Sequence, residues 1–150
     1  MNALTSRWIS LGPYVKSLLR IVAAFMFLQA GTMKMFGWPM AMPGGQTAPL
    51  LSQMGIGGLM EVIGGTLLLL GLFTRPAAFI LAGEMAVAYF EFHQPQGLWP
   101  IINQGQPAVL YCFVWLYFST AGAGPLSIDA MRNKPRAAVQ TRPHLLRRAG

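Results

Sequence analysis

Residues 55–92 read GIGGLMEVIGGTLLLLGLFTRPAAFILAGEMAVAYFEF. Two apolar stretches in this segment, at about 55–73 and 76–92, are separated only by a tight turn that carries Arg75. Each stretch has about the 17 to 25 residues that a helix needs to cross a bilayer. The segment therefore predicts two consecutive membrane spans joined by a polar turn.

Further apolar stretches at about 18–37 and 107–123 flank this segment. The chain of 150 residues is 54% hydrophobic and only 10% charged, with a mean hydropathy of +0.47. A soluble core of this size would need more polar covering. These features predict an all-α integral membrane protein, folded as a four-helix bundle. Its membrane domain is expected at 18–131, after an interfacial N-terminal segment at 1–17 and before a basic tail at 132–150.

The basic residues predict the orientation of the spans. Ten of the eleven precede or open the first stretch, occupy the turn after the second or follow the fourth: Arg7, Lys16, Arg20, Arg75, Arg132, Lys134, Arg136, Arg142, Arg147 and Arg148. Since lysine and arginine accumulate in cytoplasmic loops, both termini and Arg75 are expected in the cytoplasm, with the spans in the inner (plasma) membrane. The net charge of +7 favours anionic lipid over nucleic acid as the partner of the tail, because the tail has no aromatic interleaving.

Four ionisable residues lie inside the predicted spans, where a charge costs at least about 2.5 to 3.5 kcal/mol: Lys34, Glu61, Glu84 and Glu91. With a rise of about 1.5 Å per residue, Lys34 and Glu61 lie roughly 21 Å from the cytoplasmic anchors and Glu91 about 24 Å. Tyr111 of the fourth span reaches the same level, toward the outer face, and Glu84 lies deeper. Three predicted spans thus each place a charged residue at about the same depth in the membrane.

Small residues predict which way these side chains point. Glycines flank Glu61 at helical spacing, and Ala30 and Gly31 do the same for Lys34; such residues mark helix contacts in membranes. Tyr111 belongs to a stripe on the fourth span that also includes Trp115. We therefore predict a polar ligand pocket that opens toward the outer face and is lined by Lys34, Glu61, Glu84, Glu91, Tyr111 and Trp115.

A structural ion pair between Lys34 and one glutamate is the alternative to a ligand pocket. One lysine cannot neutralise three glutamates, so at least one carboxyl, expected to be that of Glu91, is protonated, hydrated or bound to a ligand. A metal site is not expected, because the Glu-x-x-His pairs of di-iron bundles are absent. His93 lies about 200° around an α-helix from Glu91 and joins the pocket only if the helix loosens before Pro95. Cys112 is interpreted as a packed apolar residue.

Three groups of residues resemble the DoxX family of small membrane proteins. They are the stretch 27–36 with Gly31 and Lys34, the segment GGLMEVIGG at 57–65 that leads into LGLFTRP at 70–76, and GAGPLSID at 122–129. The resemblance covers roughly 18–131 and implies a four-helix membrane architecture. The lysine, glutamate, arginine and aspartate of the family pattern fall on Lys34, Glu61, Arg75 and Asp129.

The resemblance implies a redox-linked role, since relatives are linked to thiosulfate:quinone oxidoreductase, to oxidant and thiol stress complexes and to quinone or catechol resistance. The expectation is a small subunit or accessory of such a membrane process, with membrane or redox proteins as partners. A quinone or a similar small polar molecule is the expected ligand. The alternative is a non-enzymatic carrier or an assembly partner of a membrane complex, although no continuous polar lane crosses the predicted spans. Neither interpretation assigns a reaction to the chain.

Overall fold

The computed structural model describes residues 2–133, and within that range the chain is all-helical. Five α-helices follow one another: α1 (Ala3–Phe36), α2 (Gln53–Leu70), α3 (Thr74–Ala88), α4 (Gln106–Ala121) and α5 (Ile128–Arg132). Helix α3 continues into a π-helical turn, Tyr89–His93, and a 3₁₀ turn, Gln94–Gln96. No strand occurs in this part of the chain, which confirms the predicted all-α class there. The tail predicted at 132–150 lies almost entirely outside the described residues.

Two helices among the described residues are long and apolar enough to cross a membrane, Leu4–Phe36 and Gln53–Leu70. They cover most of the first two predicted spans, which are expected to end at 37 and 73. Helices α3 and α4 have 15 and 16 residues, fewer than the roughly 20 that a span requires, although the π-helical turn lengthens the α3 segment by five residues. Both nevertheless carry large exposed apolar side chains: Phe79, Ile80, Val87, Leu110, Phe113 and Leu116.

Helix α1 is one continuous helix of 34 residues, about 51 Å long, and Pro13 does not interrupt it. It begins at Ala3, whereas the predicted span begins near 18. Asn2 caps its N-terminus by accepting a hydrogen bond from the Thr5 N–H at 3.0 Å, and Gly37 ends it in the left-handed conformation with φ of 65°. The side chains of 4–15 are exposed, and burial begins at Ser17 and Arg20.

Helices α1 and α2 approach closely along a row of glycines. A Cβ atom added to Gly31 of α1 would lie 2.8 Å from the Glu61 Cβ atom, and one added to Gly58 of α2 would lie 3.0 Å from the Lys34 Cβ atom. Small residues permit this approach of two helix backbones. The same row places Lys34 and Glu61 opposite each other, as the glycine pattern predicts.

The hydrophobic core joins this pair of helices to α3 and α4. Leu81 of α3 packs into the space left by Gly64 of α2, where a Cβ atom would lie 2.7 Å from a Leu81 methyl carbon. Phe27 of α1 contacts the fully buried Trp115 of α4, with ring centroids 5.3 Å apart and nearly perpendicular. Edge-to-face contacts of this kind stabilise aromatic pairs beyond the area they bury.

Arg20 organises the end of the molecule that contains the α2–α3 turn. Its guanidinium is fully buried and donates to the carbonyl oxygens of Leu68, Leu69, Ala123 and Leu126. Carbonyls at a helix C-terminus lack partners within the helix, and the planar guanidinium carries enough donors to reach several of them. Arg20 therefore ties α1 to the end of α2 and to the segment after α4.

Three other charged side chains complete this end. Lys16 donates to the Ala121 carbonyl at 2.8 Å, and Arg75 donates to the carbonyl of Thr120 at the end of α4. The Asp129 carboxylate accepts from the backbone N–H groups of Phe73 and Thr74, each at 2.9 Å. The cations thus lie at helix C-termini and the anion at the N-terminus of α3, as the helix dipole favours.

Candidate functional site

An ion pair forms the centre of the candidate site. Lys34 Nζ of α1 lies 2.6 Å from Glu61 Oε1 of α2. The lysine side chain keeps 19% of its surface exposed, whereas the glutamate keeps 3%. The second carboxylate oxygen of Glu61, Oε2, is buried and has no hydrogen-bond partner within 2–133. The predicted structural pairing of Lys34 with one glutamate is therefore present, and it leaves one acceptor unused.

Glu84 of α3 adds a second carboxylate next to this pair. A Cβ atom added to Gly57, one turn before Glu61, would lie 3.3 Å from Glu84 Oε1, so the glycine leaves room for the carboxylate. Glu84 Oε2 is buried without a partner among the described residues. Glu84 is close enough to feel the charges of both Lys34 and Glu61, but the ion pair of Lys34 is with Glu61.

A cavity of about 650 Å³ opens beside Lys34 and Glu84, between α2 and the end of the α3 segment. Most of its lining is apolar, and a few polar groups converge on it. The lining residues are Lys34, Gln53, Met54, Ile56, Gly57, Met60, Glu84, Val87, Ala88, Phe92, His93 and Gln96. An apolar cavity of this size with a few placed polar groups is the usual form of a small-molecule site.

The π-helical turn brings His93 to the cavity. His93 Nδ1 lies 2.9 Å from the carbonyl oxygen of Asn103; since a carbonyl only accepts, Nδ1 carries a hydrogen and donates it. The buried Asn103 side chain holds the same loop, donating to the Gly97 carbonyl at 2.6 Å and accepting from the Gly105 N–H at 2.8 Å. This loop therefore fixes the orientation of His93.

The structure separates Glu91 from the other predicted site residues. Glu91 lies in the π-helical turn, is exposed and does not line the cavity. The wider turn changes which side chains face α2, and His93 takes the position for which Glu91 was predicted. The helix does loosen before Pro95, which is the condition under which His93 is predicted to join the pocket.

Tyr111 and Trp115 lie within an aromatic cluster instead of on the cavity wall. Their rings stack with centroids 5.6 Å apart, and Tyr111 also contacts Phe27 at 5.0 Å. Trp115 is fully buried and its Nε1 has no hydrogen-bond partner within the described range. Cys112 is a half-buried free thiol beside the same core. Of the six predicted pocket residues, the structure brings Lys34, Glu61 and Glu84 together.

Other residues of the cavity went unrecognised in the sequence. Gln53 and Met54 begin α2, and Gln96 follows the π-helical turn. Their positions depend on loops whose course the apolar pattern does not encode. Within residues 2–133, no three histidine, cysteine, aspartate or glutamate side chains cluster as metal ligands would.

Arg75 and Asp129, predicted as structural motif residues, line a second cavity of about 420 Å³ at the opposite end. Burial alone would raise the pKa of Asp129, but hydrogen bonds from the backbone of Thr74 and Phe73 and the charge of Arg132 outweigh it, and the pKa lies below its ordinary value. The two oxygens of Asp129 are occupied by the start of α3. Asp129 therefore serves to cap the N-terminus of α3.

Comparison with known proteins gives two matches. Residues 15–94 match the sequence profile of the DoxX family. A protein of Haemophilus influenzae, itself described as an uncharacterized protein, is 45% identical over 120 residues, which cover 78% of this chain and 90% of the relative. No solved structure matches the chain.

Proposed function

The chain belongs to the DoxX family, and we propose that it is a four-span protein of the inner (plasma) membrane, folded as a four-helix bundle with both termini in the cytoplasm. Its family and its two long apolar helices make it a membrane protein. The exposed apolar side chains of α3 and α4 support two further spans, because a surface of this kind is stable only against lipid or protein.

The distribution of charge supports the orientation. Lys16, Arg20 and Arg75 all lie at the end of the molecule that carries the Asp129 cap. The cavity with Glu84 lies at the other end, formed by the end of α1, the start of α2 and the end of the α3 segment. With basic residues on the cytoplasmic side, the cavity lies toward the outer face.

We further propose that the cavity binds a small amphipathic molecule, a quinone or a compound like it, and that the protein serves a redox-linked membrane process as a small subunit or accessory. The observation that carries this proposal is the combination of a largely apolar cavity of about 650 Å³ with the unpartnered Glu84 carboxylate and His93 at its wall. Apolar walls suit a ring and tail, and the polar groups suit a head group.

Extraction of the purified protein tests the proposal. Protein purified in mild detergent is extracted with organic solvent, and the extract is analysed for quinones by mass spectrometry; binding of an added decyl-quinone or decyl-hydroquinone is measured in parallel by fluorescence of the tryptophans. We expect an occupied cavity in the wild type and reduced retention in Glu84→Gln.

Glu91→Gln is the matched control, because Glu91 is an exposed glutamate of the same segment outside the cavity. It should retain ligand as the wild type does. A protein that arrives empty and binds neither form of the added compound would contradict the proposal and favour the carrier or assembly role.

A further inference from the structure

We infer that the protein forms a parallel dimer in the membrane, in which the α1 helices of two copies of the chain pack along one outward-facing seam. The seam consists of seven apolar side chains that recur at alternating intervals of four and three residues: Leu4, Trp8, Leu11, Val15, Leu18, Val22 and Phe25. This is the heptad repeat of helices that pack side by side. Each of these side chains keeps between 47% and 73% of its surface exposed. The dimer presupposes the proposed membrane orientation and adds a partner to it.

The seam lies on the side of α1 that faces away from the rest of the molecule. Arg20 and Phe27 are buried against the other helices, and each lies two residues, about 200° around the helix, from a seam position. Ser17 and Ala24 are buried on the same inner side. A second α1 can therefore contact the seam without displacing any contact of the bundle among the described residues.

The first half of the seam, at 4–15, projects beyond the bilayer. Helix α1 is about 51 Å long, whereas the hydrocarbon core is about 30 Å thick. Lys16 and Arg20, which follow this half, already bind carbonyls at the ends of α4 and α2. The side chains of 4–15 are exposed, and Gly12 and Pro13 weaken an isolated helix. A short helix of this kind has little stability in water unless it packs against another surface.

The order of residues along the seam favours a second α1 as that surface. Val15 and Val22 occupy one of the two repeating positions, and leucine occupies three of the four places of the other. This combination favours two parallel strands. All copies enter the membrane in the same orientation, so their α1 helices are parallel and their seams meet in register.

The residues beside the seam are compatible with this pairing. Within 4–15, most positions off the seam are polar or small, and Ile9 is the one large aliphatic residue among them. In a parallel pair, Arg7 of one copy would face Gly12 of the other, because the positions that flank a heptad seam meet one heptad step apart. No like charges are therefore opposed across the seam.

The membrane surface and the basic tail are less suitable occupants. To lie flat on the membrane, 4–15 would have to turn away from the span that follows, but α1 is continuous through Pro13. The tail at 132–150 is basic, and 4–15 contains Arg7 and no acidic residue. Charge attraction therefore does not draw the tail to this segment.

The area of the seam is sufficient for a specific dimer. If each seam side chain of both copies loses roughly 80 Å² of exposed surface, the contact buries about 1,100 Å², which exceeds the roughly 1,000 Å² that a specific interface requires. The contact also has the two-fold symmetry that is commonest among homo-oligomers, because the same surface of each copy meets itself.

Disulfide crosslinking in native membranes tests the seam. In a Cys112→Ala background, which removes the native thiol, single cysteines replace Leu4 or Leu11. Ser6 is the matched control position, because it is exposed in the same segment but lies about 200° around the helix from Leu4. We expect Leu4→Cys and Leu11→Cys to form covalent dimers on mild oxidation and Ser6→Cys to remain monomeric. Equal crosslinking at all three positions would indicate random collision and overturn the inference.

Energy transfer between copies labelled at the C-terminus measures self-association in liposomes. Leu11→Lys should raise the dissociation constant at least about tenfold, because a charge buried in the seam without a partner costs more than the equivalent of one decade. Ser10→Lys adds the same charge beside the seam and should dimerise as the wild type does. Both variants should keep the wild-type melting midpoint, since 4–15 is exposed. Equal weakening by the two lysines would overturn the seam.

A wild type that stays monomeric at every protein density in the liposomes would overturn the dimer. In that case, protection of Leu4→Cys from a water-soluble maleimide would show that the membrane surface covers 4–15. An unchanged pattern of topology reporters would then leave the proposed four-span arrangement standing, whereas a changed pattern would overturn both.

Discussion

At the scale of single residues, the Lys34–Glu61 pair is asymmetric. The Lys34 side chain is partly exposed and lines the cavity, whereas the Glu61 side chain is almost wholly buried. Removing one partner of a buried pair leaves an uncompensated charge, which costs more than the pair itself contributes. The pair is therefore a sensitive point of the fold, whatever ligand the neighbouring cavity takes.

Lys34→Ala should lower the free energy of unfolding by about 3 kcal/mol, the lower part of the range for broken buried pairs, because Glu61 then has no cation. The double change Lys34→Met with Glu61→Met should recover much of this loss, since a matched apolar replacement is often neutral. Thermal unfolding in detergent measures both. Arg7→Ala, at an exposed position, is the control, and an unchanged midpoint in Lys34→Ala would show that the pair does not stabilise the fold.

The sequence predicts the positions of Lys34 and Glu61 well and that of Glu91 poorly, and the reason is physical. Gly31 and Gly58 indicate the face along which α1 and α2 meet, and that face fixes Lys34 and Glu61. The prediction for Glu91 assumes an unbroken α-helix, whereas each residue of the π-helical turn advances less around the axis. Side chains after Tyr89 therefore point in other directions than those an unbroken α-helix would give them.

At the scale of helices, the contact between α1 and α2 depends on the absence of side chains. Gly31 has the Val62 backbone nitrogen and the Glu61 Cβ atom each at 2.8 Å from the place of a Cβ atom, and the Gly58 carbonyl oxygen at 3.0 Å. Backbone atoms of a packed helix cannot yield as a flexible side-chain end can. Tight packing here therefore fixes the distance between the two helices.

Gly31→Ala should destabilise the protein and lower its abundance in the membrane, with a loss of about 1 to 3 kcal/mol from overpacking. Gly83→Ala is the matched control, because a Cβ atom at Gly83 meets nothing within 4 Å and alanine favours the helix. We expect Gly83→Ala to match or exceed the wild-type melting midpoint. Equal midpoints for Gly31→Ala and the wild type would mean that α1 and α2 can separate without cost.

Asp129 of α5 caps the N-terminus of α3. Its contribution to the free energy of unfolding should depend on pH. Its pKa is lower in the folded protein than the ordinary value of 3.8, so the stabilisation is complete above that value and is lost as the pH falls through the lower, folded pKa. Asp129→Asn should be less stable than the wild type near neutral pH, by about 0.5 to 2 kcal/mol as for lost caps.

The difference in unfolding midpoint between Asp129→Asn and the wild type should therefore shrink as the pH is lowered from neutral through 3.8 and below. Asn133→Ala, at an exposed position near the same segment, controls for local sequence change. Parallel curves for wild type and Asp129→Asn over the whole range would contradict the capping role.

At the scale of the whole molecule, the two ends differ in chemistry. One end satisfies helix carbonyls with Lys16, Arg20 and Arg75, and the other holds the largely apolar cavity beside Glu84. Hydropathy predicts the number of apolar segments and charge predicts which end is basic. Neither predicts that α1 is continuous from Ala3, because Pro13 and the polar residues before it read as a boundary.

Reporter fusions test the proposed topology. Fusions at Gly45, Arg75, Gly97 and Gly150 should report outside, inside, outside and inside, since the basic residues favour the cytoplasm. Fusions of a periplasmic and a cytoplasmic reporter at each position provide mutual controls. An outside signal at Gly150 would overturn the four-span arrangement.

Arg20 also sets an order in time. Two of the four carbonyls that it binds belong to residues that follow it by 103 and 106 positions. When only the first three helices have been synthesised, the Arg20 side chain therefore exists, but the carbonyls of Ala123 and Leu126 that it binds do not. Closure of this end must wait until Leu126 has been synthesised, so this end cannot complete its packing helix by helix.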